Sequence, residues 1–236
     1  MDLVLGPSES SDDNLHGIKR SYGAYIILKN LSRTEQLRKF SAQMPEFQKS
    51  LPCKDEYKTF VPSTESVIYA GDALYYAGAA NCGIKDIAIS LPFDVKVQAE
   101  KGTRSILMQN VINSKFNGIL VPTADLVICD KDREHVNDRA FFWNVAFREV
   151  AHGLGVKTTL DGRSVNAALD NLASLVEEVK ALSMGTFLSS SVIAKFETNE
   201  IVTKEDSYAT FLTALLRSAR FGNTEVVGRA NIICYN

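Results

Sequence analysis

No stretch of this chain approaches the ~18 consecutive apolar residues of a membrane-spanning helix. No basic segment followed by an apolar core stands near its first residues, where Asp2, Asp12 and Asp13 make the chain acidic instead. The sequence therefore predicts a cytoplasmic protein with no membrane partner. Cysteine is scarce: Cys53, Cys82, Cys129 and Cys234 lie far apart with no C-x-x-C pair, which argues against a zinc knuckle or a disulfide framework and leaves them as reduced thiols. Charge of one sign is not in excess either. With 26 basic against 28 acidic residues and no Lys/Arg run interleaved with aromatics, nothing marks a nucleic-acid surface. Repeats and low-complexity tracts are missing, and the six prolines are scattered rather than gathered into a linker. Residues 1–236 are accordingly read as a single compact domain.

What is present is enough apolar material for a sizeable core, 45% of 236 residues. Ser21 to Leu28 alternates around Tyr22, Ala24 and Ile26, the period of a half-buried strand. Ser32-Arg33-Thr34-Glu35 has the form of a capping box and predicts a helix that stops before Pro45. Residues 66–80 are apolar and fit helix or strand, whereas Ile84 to Leu91, β-branched and followed by Pro92, reads as a strand. A helix is expected from Thr103 to Phe116, ended by Asn117-Gly118.

The second half carries helical periodicity in three windows, 139–153, 164–189 and 206–221. Asp138 would cap the first and Gly153 end it. Ser164 would cap the second, with Val165, Leu169, Leu172, Val176 and Val179 as its buried stripe, and Gly222 would end the third. The fold class expected is mainly α with a minor β component, an α+β fold.

Chemistry concentrates in the first of these windows. Arg148 and His152 are four residues apart and project from one helix face, with Glu149 about 100° round. Histidines at both ends of such a pentad would hold one zinc ion between them while the glutamate polarised the metal-bound water. Arginine has no lone pair to give and keeps its charge, so Arg148 opposes a divalent cation at ligand distance. Glu177-Glu178 follows 25 residues after His152, and its carboxylates are candidates to pair with the guanidinium. Taken alone, Glu177-Glu178 also fits a solvated helix face, His152 a structural histidine, and Arg148-Glu149 an ordinary charged pair.

Four segments taken together are more specific. Asn144-Val145-Ala146-Phe147-Arg148-Glu149-Val150-Ala151-His152-Gly153-Leu154-Gly155 resembles the zinc helix of the dipeptidyl-peptidase III family, which reads H-E-x-x-H-G-L-G in its shorter bacterial and plant-type members. Ser174-Leu175-Val176-Glu177-Glu178-Val179-Lys180-Ala181 resembles that family's second motif, E-E-x-K-A-[DE], whose second glutamate binds metal. Ala70-Gly71-Asp72-Ala73-Leu74-Tyr75 to Gly83-Ile84-Lys85, with Ile87 to Asp94, is similar to the segment leading into the substrate-binding strand. Leu216 to Gly222 and Gly228-Arg229-Ala230-Asn231 are similar to the later helical region.

The resemblance implies a zincin-like helical lobe of the dipeptidyl-peptidase III type, with the second lobe reduced or absent, and the departures from it fall on the chemistry. The first zinc histidine is Arg148, and the acid closing the second motif is Leu182. The asparagines of N-[IL]-P-N are Ser90 and Phe93, and the histidine expected before Gly228 is Val227. Met1 and this concentration of changes are read as a naturally reduced protein. The expectation is a metal-independent enzyme, without cofactor, that reuses the pocket for a small, largely apolar organic substrate in an isomerisation, elimination, intramolecular cyclisation or cycloaddition. Arg148, Glu149 and His152 would be its catalytic groups, and Ser90, Phe93, Glu177, Glu178, Leu182 and Val227 its substrate contacts. A non-catalytic pseudo-peptidase that binds a peptide or partner, and a residual zinc dipeptidyl peptidase, are the alternatives. A small-molecule substrate or ligand is the partner expected.

Overall fold

The computed structural model describes residues 1–7, 11–13, 17–19, 22–59, 67–91, 104–192 and 202–236. The chain divides into two compact units. The first comprises residues 1–41 and 65–113, and the second residues 42–64 and 114–236.

The first unit is built on a five-stranded mixed sheet. Its strands are β1 (Asp2–Pro7), β4 (Tyr22–Asn30), β5 (Val67–Gly78), β6 (Ala88–Leu91) and β7 (Arg104–Met108), in the order β1-β4-β5-β7-β6. The short strands β2 (Ser11–Asp13) and β3 (Gly17–Lys19) pair separately. Among the described strands only β5 and β7 run parallel. The strand read in residues 21–28 is β4, but its inward face is the other one: Tyr22 is exposed and Ala24 and Ile26 only half-buried, whereas Tyr25 and Ile27 turn inward to join Tyr69, Ala73, Ile89, Ile106 and Met108 in one apolar cluster. The ambiguous 66–80 stretch becomes the long strand β5, paired with β4 on one side and β7 on the other.

Sequence and structure part company at three places in or near this unit. The helix α1 (Leu31–Ser41) takes its cap-type hydrogen bond from Asn30, whose Oδ1 accepts from the N–H of Arg33 at 3.0 Å, not from Ser32. The helix does stop before Pro45, as expected, and Pro45 itself stands in the first turn of a second helix, α2 (Met44–Ser50), which belongs to the other unit. The helix expected from Thr103 is instead the strand β7 followed by α3 (Gln109–Lys115). Ser105 to Met108 is buried on both faces, a run that periodicity cannot assign to either element. Of the strand expected over 84–91, only Ala88–Leu91 forms one.

Where β7 stops pairing, at Met108 opposite Gly71, one side chain continues the ladder. The Asn110 amide accepts from the N–H of Ala73 at 3.0 Å and donates to its carbonyl at 2.9 Å, so the backbone of Ala73 keeps both partners beyond the end of the β7 ladder.

The second unit is helical. Asn117-Gly118 does not end a helix: the chain widens into a π-helical turn over Phe116–Leu120, with Phe116 and Leu120 buried, and continues into α4 (Val121–Val127) and the short α5 (Asp130–Arg133). There follow α6 (Asp138–His152), α7 (Val165–Leu169), α8 (Ala173–Val192), α9 (Lys204–Ala219) and α10 (Val226–Tyr235). Asn137 caps α6, one residue before the Asp138 expected, by accepting from the N–H of Ala140 at 2.9 Å. Ser164 caps α7 as expected, and a capping box of Thr203 and Asp206 starts α9.

The stripe assigned to window 164–189 is a correction. A 3-10 turn at Asp170–Leu172, entered through Asp170 at φ +48°, breaks the helical phase, so Val165 and Leu169 do not continue onto the face of α8. Leu172 and Val176 are exposed, and α8 buries Leu175, Ala181 and Leu188 instead. Among the described residues no helix is long and apolar enough to cross a membrane.

Replacing Asn110 with Ala leaves the N–H and C=O of Ala73 without these partners. The expected loss is about 1–3 kcal/mol in urea unfolding, and an unchanged midpoint would show that water takes over both bonds.

Candidate functional site

Helix α6 is apolar almost all round, with Trp143 and Phe147 fully buried and Phe147 edge-on to Phe47 at 6.2 Å. Arg148, Glu149 and His152 are therefore charged or titratable groups on a helix that the core otherwise claims. The turn that follows is fixed from α2. Gln48, 2% exposed, accepts from the N–H of Gly155 at 2.8 Å and donates to its carbonyl at 3.2 Å. Gly155 has φ +86°, a conformation that suits glycine.

Helix α8 lies directly against α6 at Gly185. A Cβ there would sit 2.8 Å from both the Cα and the N of Arg148, so only glycine lets the two backbones approach this closely. From that contact the helices run in opposite directions, which carries Glu178 and Glu177 back toward Arg148 and His152.

The result is a continuous chain of charges. Arg148 Nη2 donates to Glu178 Oε2 at 2.6 Å, and Nη1 to Glu149 Oε1 at 3.1 Å. His152 Nδ1 is 3.0 Å from Glu177 Oε1, and its Nε2 is 4.0 Å from Glu178 Oε1. Lys180 Nζ reaches the Glu177 carboxylate at 2.8 Å and the Leu154 carbonyl at 2.9 Å, while Lys157 Nζ donates to the His152 carbonyl at 2.8 Å. The Glu149 side chain is 7% exposed; the others keep a partial opening to solvent. Burial by itself would push the Glu177 carboxyl up, but the hydrogen bond from His152 and the charges of Lys180 and Lys157 outweigh it and hold it at about 2. Burial, aided by the charge of Lys157, brings the Lys180 ammonium down to about 8 against the pull of Glu177.

The remaining expected contacts are carried by other elements or lie beyond the described residues. Ser90 belongs to the sheet unit, where its hydroxyl hydrogen-bonds Ser105 on the paired strand at 2.8 Å. Phe93 lies outside the described residues. Val227 is 43% exposed near the start of α10. Leu182 is half-buried on α8, four residues beyond Glu178. A hollow lined by Tyr57, Thr59, Val156, Lys157 and Thr158 meets the charge chain at Lys157 alone. Sequence reasoning missed Lys180, Lys157 and Gly185. Lys180 had a signal, its spacing of three from Glu177 on a helix; so did Gly185, a glycine inside a long helical window.

This is an α+β protein whose helical unit sets a zincin-type pentad and a paired-glutamate motif against each other. The comparisons agree. The chain superposes on dipeptidyl-peptidase III from Caldithrix abyssi with a TM-score of 0.91 at 31% identity, covering 99% of this chain and 45% of that one. The dipeptidyl-peptidase III of Corallococcus sp. strain EGB matches with a TM-score of 0.83 at 32% identity, covering 97% and 43%. A curated relative, Nudix hydrolase 3 of Arabidopsis thaliana, is 30% identical over 240 residues, 100% of this chain and 31% of that protein. No protein-family model matches. The chain is a relative of the dipeptidyl-peptidase III family, and it spans less than half the length of those solved chains and about a third of the curated relative.

The zinc that such a fold implies does not fit these residues. Among the described residues no group of three or more His, Cys, Asp and Glu side chains is arranged to hold a metal ion. Arg148 stands at the position of the first histidine with its guanidinium on Glu178, and His152 faces Glu177 through Nδ1. The carboxylates of Glu149, Glu177 and Glu178 are matched by the cations of Arg148, Lys157 and Lys180, so a dication would enter a site whose charge is already balanced.

Two measurements check this geometry. A folded-state carboxyl lowered from 4.5 to about 2 contributes stability that is fully present above pH 4.5 and lost as pH falls through 2. Glu177→Gln is therefore expected to cost about 1 kcal/mol at pH 7, the 37%-exposed carboxylate being screened by solvent. The difference from wild type should close toward pH 2, and a gap independent of pH would contradict the assignment. Gly185→Ala forces the helices apart at Arg148 and should lower stability by about 1–3 kcal/mol in chemical denaturation.

Proposed function

We propose that this chain works without a metal on a small, largely apolar organic substrate, at the place where a zinc peptidase would cleave a peptide. The observation that carries the reading is the Arg148 bridge, 2.6 Å to Glu178 and 3.1 Å to Glu149, which puts a permanent organic cation among the acidic side chains. A guanidinium held in a half-buried site can polarise a carbonyl or steady a developing anion. Glu149, nearly buried, and His152 are of the types that move a proton near neutral pH. An isomerisation, an elimination or an intramolecular cyclisation needs no more than these groups and a wall that folds the substrate into its reactive shape. A cycloaddition needs the wall alone. Leu182 and Val227, apolar where the family pattern is polar, would contribute to it.

A second reading, a non-catalytic pseudo-peptidase that binds a peptide or partner, draws support from a different observation. Arg148, Glu149, Glu177, Glu178 and Lys180 already satisfy one another, so a reaction must first loosen an ion pair. A residual zinc dipeptidyl peptidase draws none from the donor set.

Purified protein should hold less than about a tenth of an equivalent of zinc and leave dipeptidyl substrates uncut, while Arg148→His should gain zinc affinity. Stoichiometric zinc with peptide cleavage in the wild type would sink the metal-free reading. A ligand that co-purifies and is converted on incubation, at a rate lowered by Glu149→Gln, identifies proton transfer; conversion indifferent to that change points to conformer selection; a ligand recovered unchanged selects the binding protein.

A further inference from the structure

Strand β1 stands at one end of the five-stranded sheet and pairs with β4 from Asp2 opposite Ile27 to Pro7 opposite Tyr22. In an antiparallel ladder the backbone groups of alternate residues point to the partner strand, and those between point away from it. The N–H of Leu3 is taken by Oδ1 of its neighbour Asp2 at 3.2 Å and not by β4. Leu3, and with it Leu5 two residues on, therefore belongs to the set that points away.

The side chains of these two residues are open as well, Leu3 at 65% and Leu5 at 72%. The register carries each of them into an apolar row across the outer face of the sheet. Leu3 lies beside Ile26 and Ile26 beside Tyr75; Leu5 lies beside Ala24 and Ala24 beside Ala77. Tyr75 is exposed and the other three are half-buried, so both rows remain open to solvent, and neither contains a charge. Edge strands that stay unpaired are commonly guarded by a lysine, an internal proline or a bulge. Leu3-Val4-Leu5-Gly6 has no such residue, and its register to β4 is regular.

We propose that this edge is a dimer interface, in which two copies of the chain join β1 to β1 antiparallel about a twofold axis through Val4. That axis sets Leu3 opposite Leu5 of the second copy, and Leu5 opposite its Leu3. Both are residues whose N–H and C=O point outward, so each pair exchanges both of its backbone hydrogen bonds without a change of register. The leucines of the two copies meet on the outer face and join the apolar rows of one sheet to those of the other. Asp2 falls opposite Gly6 of the second copy, and its carboxylate is already held within its own chain by Tyr69 at 2.6 Å and Lys29 at 3.2 Å, so no like charges oppose each other. A twofold interface requires one patch to match itself, and Leu3 and Leu5, placed evenly about Val4, meet that requirement. The interface is independent of the reading of the Arg148 cluster.

The test is sedimentation of the whole, untagged chain over a range of about 1–100 μM. Wild type should sediment as a dimer of the 26.0 kDa chain. Leu5→Pro removes an outward N–H that β4 does not use and should weaken the dimer at least about tenfold. Leu3→Lys with Leu5→Lys sets like charges opposite each other across the axis, should give monomer, and serves if the proline variant does not fold. Leu126→Lys, at an 86%-exposed leucine of the other unit, should leave the dimer intact. A wild type that stays monomeric leaves the edge to a strand of some other protein and overturns the proposal. A dimer that either folded edge variant leaves unchanged, or that Leu126→Lys abolishes, overturns it equally.

Discussion

The helical unit depends on one close approach, the backbone of α8 against that of α6 at Gly185 and Arg148. Helix pairs with larger side chains between them stand 8–10 Å apart; a glycine at the crossing lets two charged faces meet edge to edge. Everything distinctive about the site follows from that geometry. Arg148 reaches Glu178, His152 reaches Glu177, and Lys180 closes the chain against the turn that Gln48 holds from α2. Without the approach, the same residues would be two solvated faces of the kind that surface ion pairs usually form, contributing little.

Exchanging a metal ligand for a guanidinium changes how the acidic groups are held. A zinc ion is bound at a point by lone pairs converging on it, whereas Arg148 spans two carboxylates through separate nitrogens and donates hydrogen atoms to both. The cation is tethered covalently to α6, so its charge cannot be removed by chelation. Its planar fork also prescribes where each carboxylate must point.

The sequence was most legible where residue type and period act together. Helix α6 lies within a residue of the window read for it because its apolar positions repeat and Gly153 follows. The pairing of Arg148 with Glu178 was foreseeable from the two motifs, one spacing four residues and the other holding adjacent acids. Strand β7 was not legible, because Ser105-Ile106-Leu107-Met108 is buried on both faces and carries no alternation. The face of α8 was misread because nothing local announces the turn at Asp170, a non-glycine residue at positive φ. The two units were invisible for a different reason: the chain passes between them near residues 41, 64 and 113 with no change of composition at those points. Ser90 was linked to the site by motif alone, and its hydroxyl is engaged by Ser105 within the sheet.

The balance of three acids by three tethered cations also sets how the site answers to salt. Arg148 and Glu178 are only partly open to solvent, whereas the Lys49–Glu46 pair stands mostly in water. Added salt screens exposed charges far more than half-buried ones. The bridge between α6 and α8 would thus hold at ionic strengths that dissolve the surface pairs.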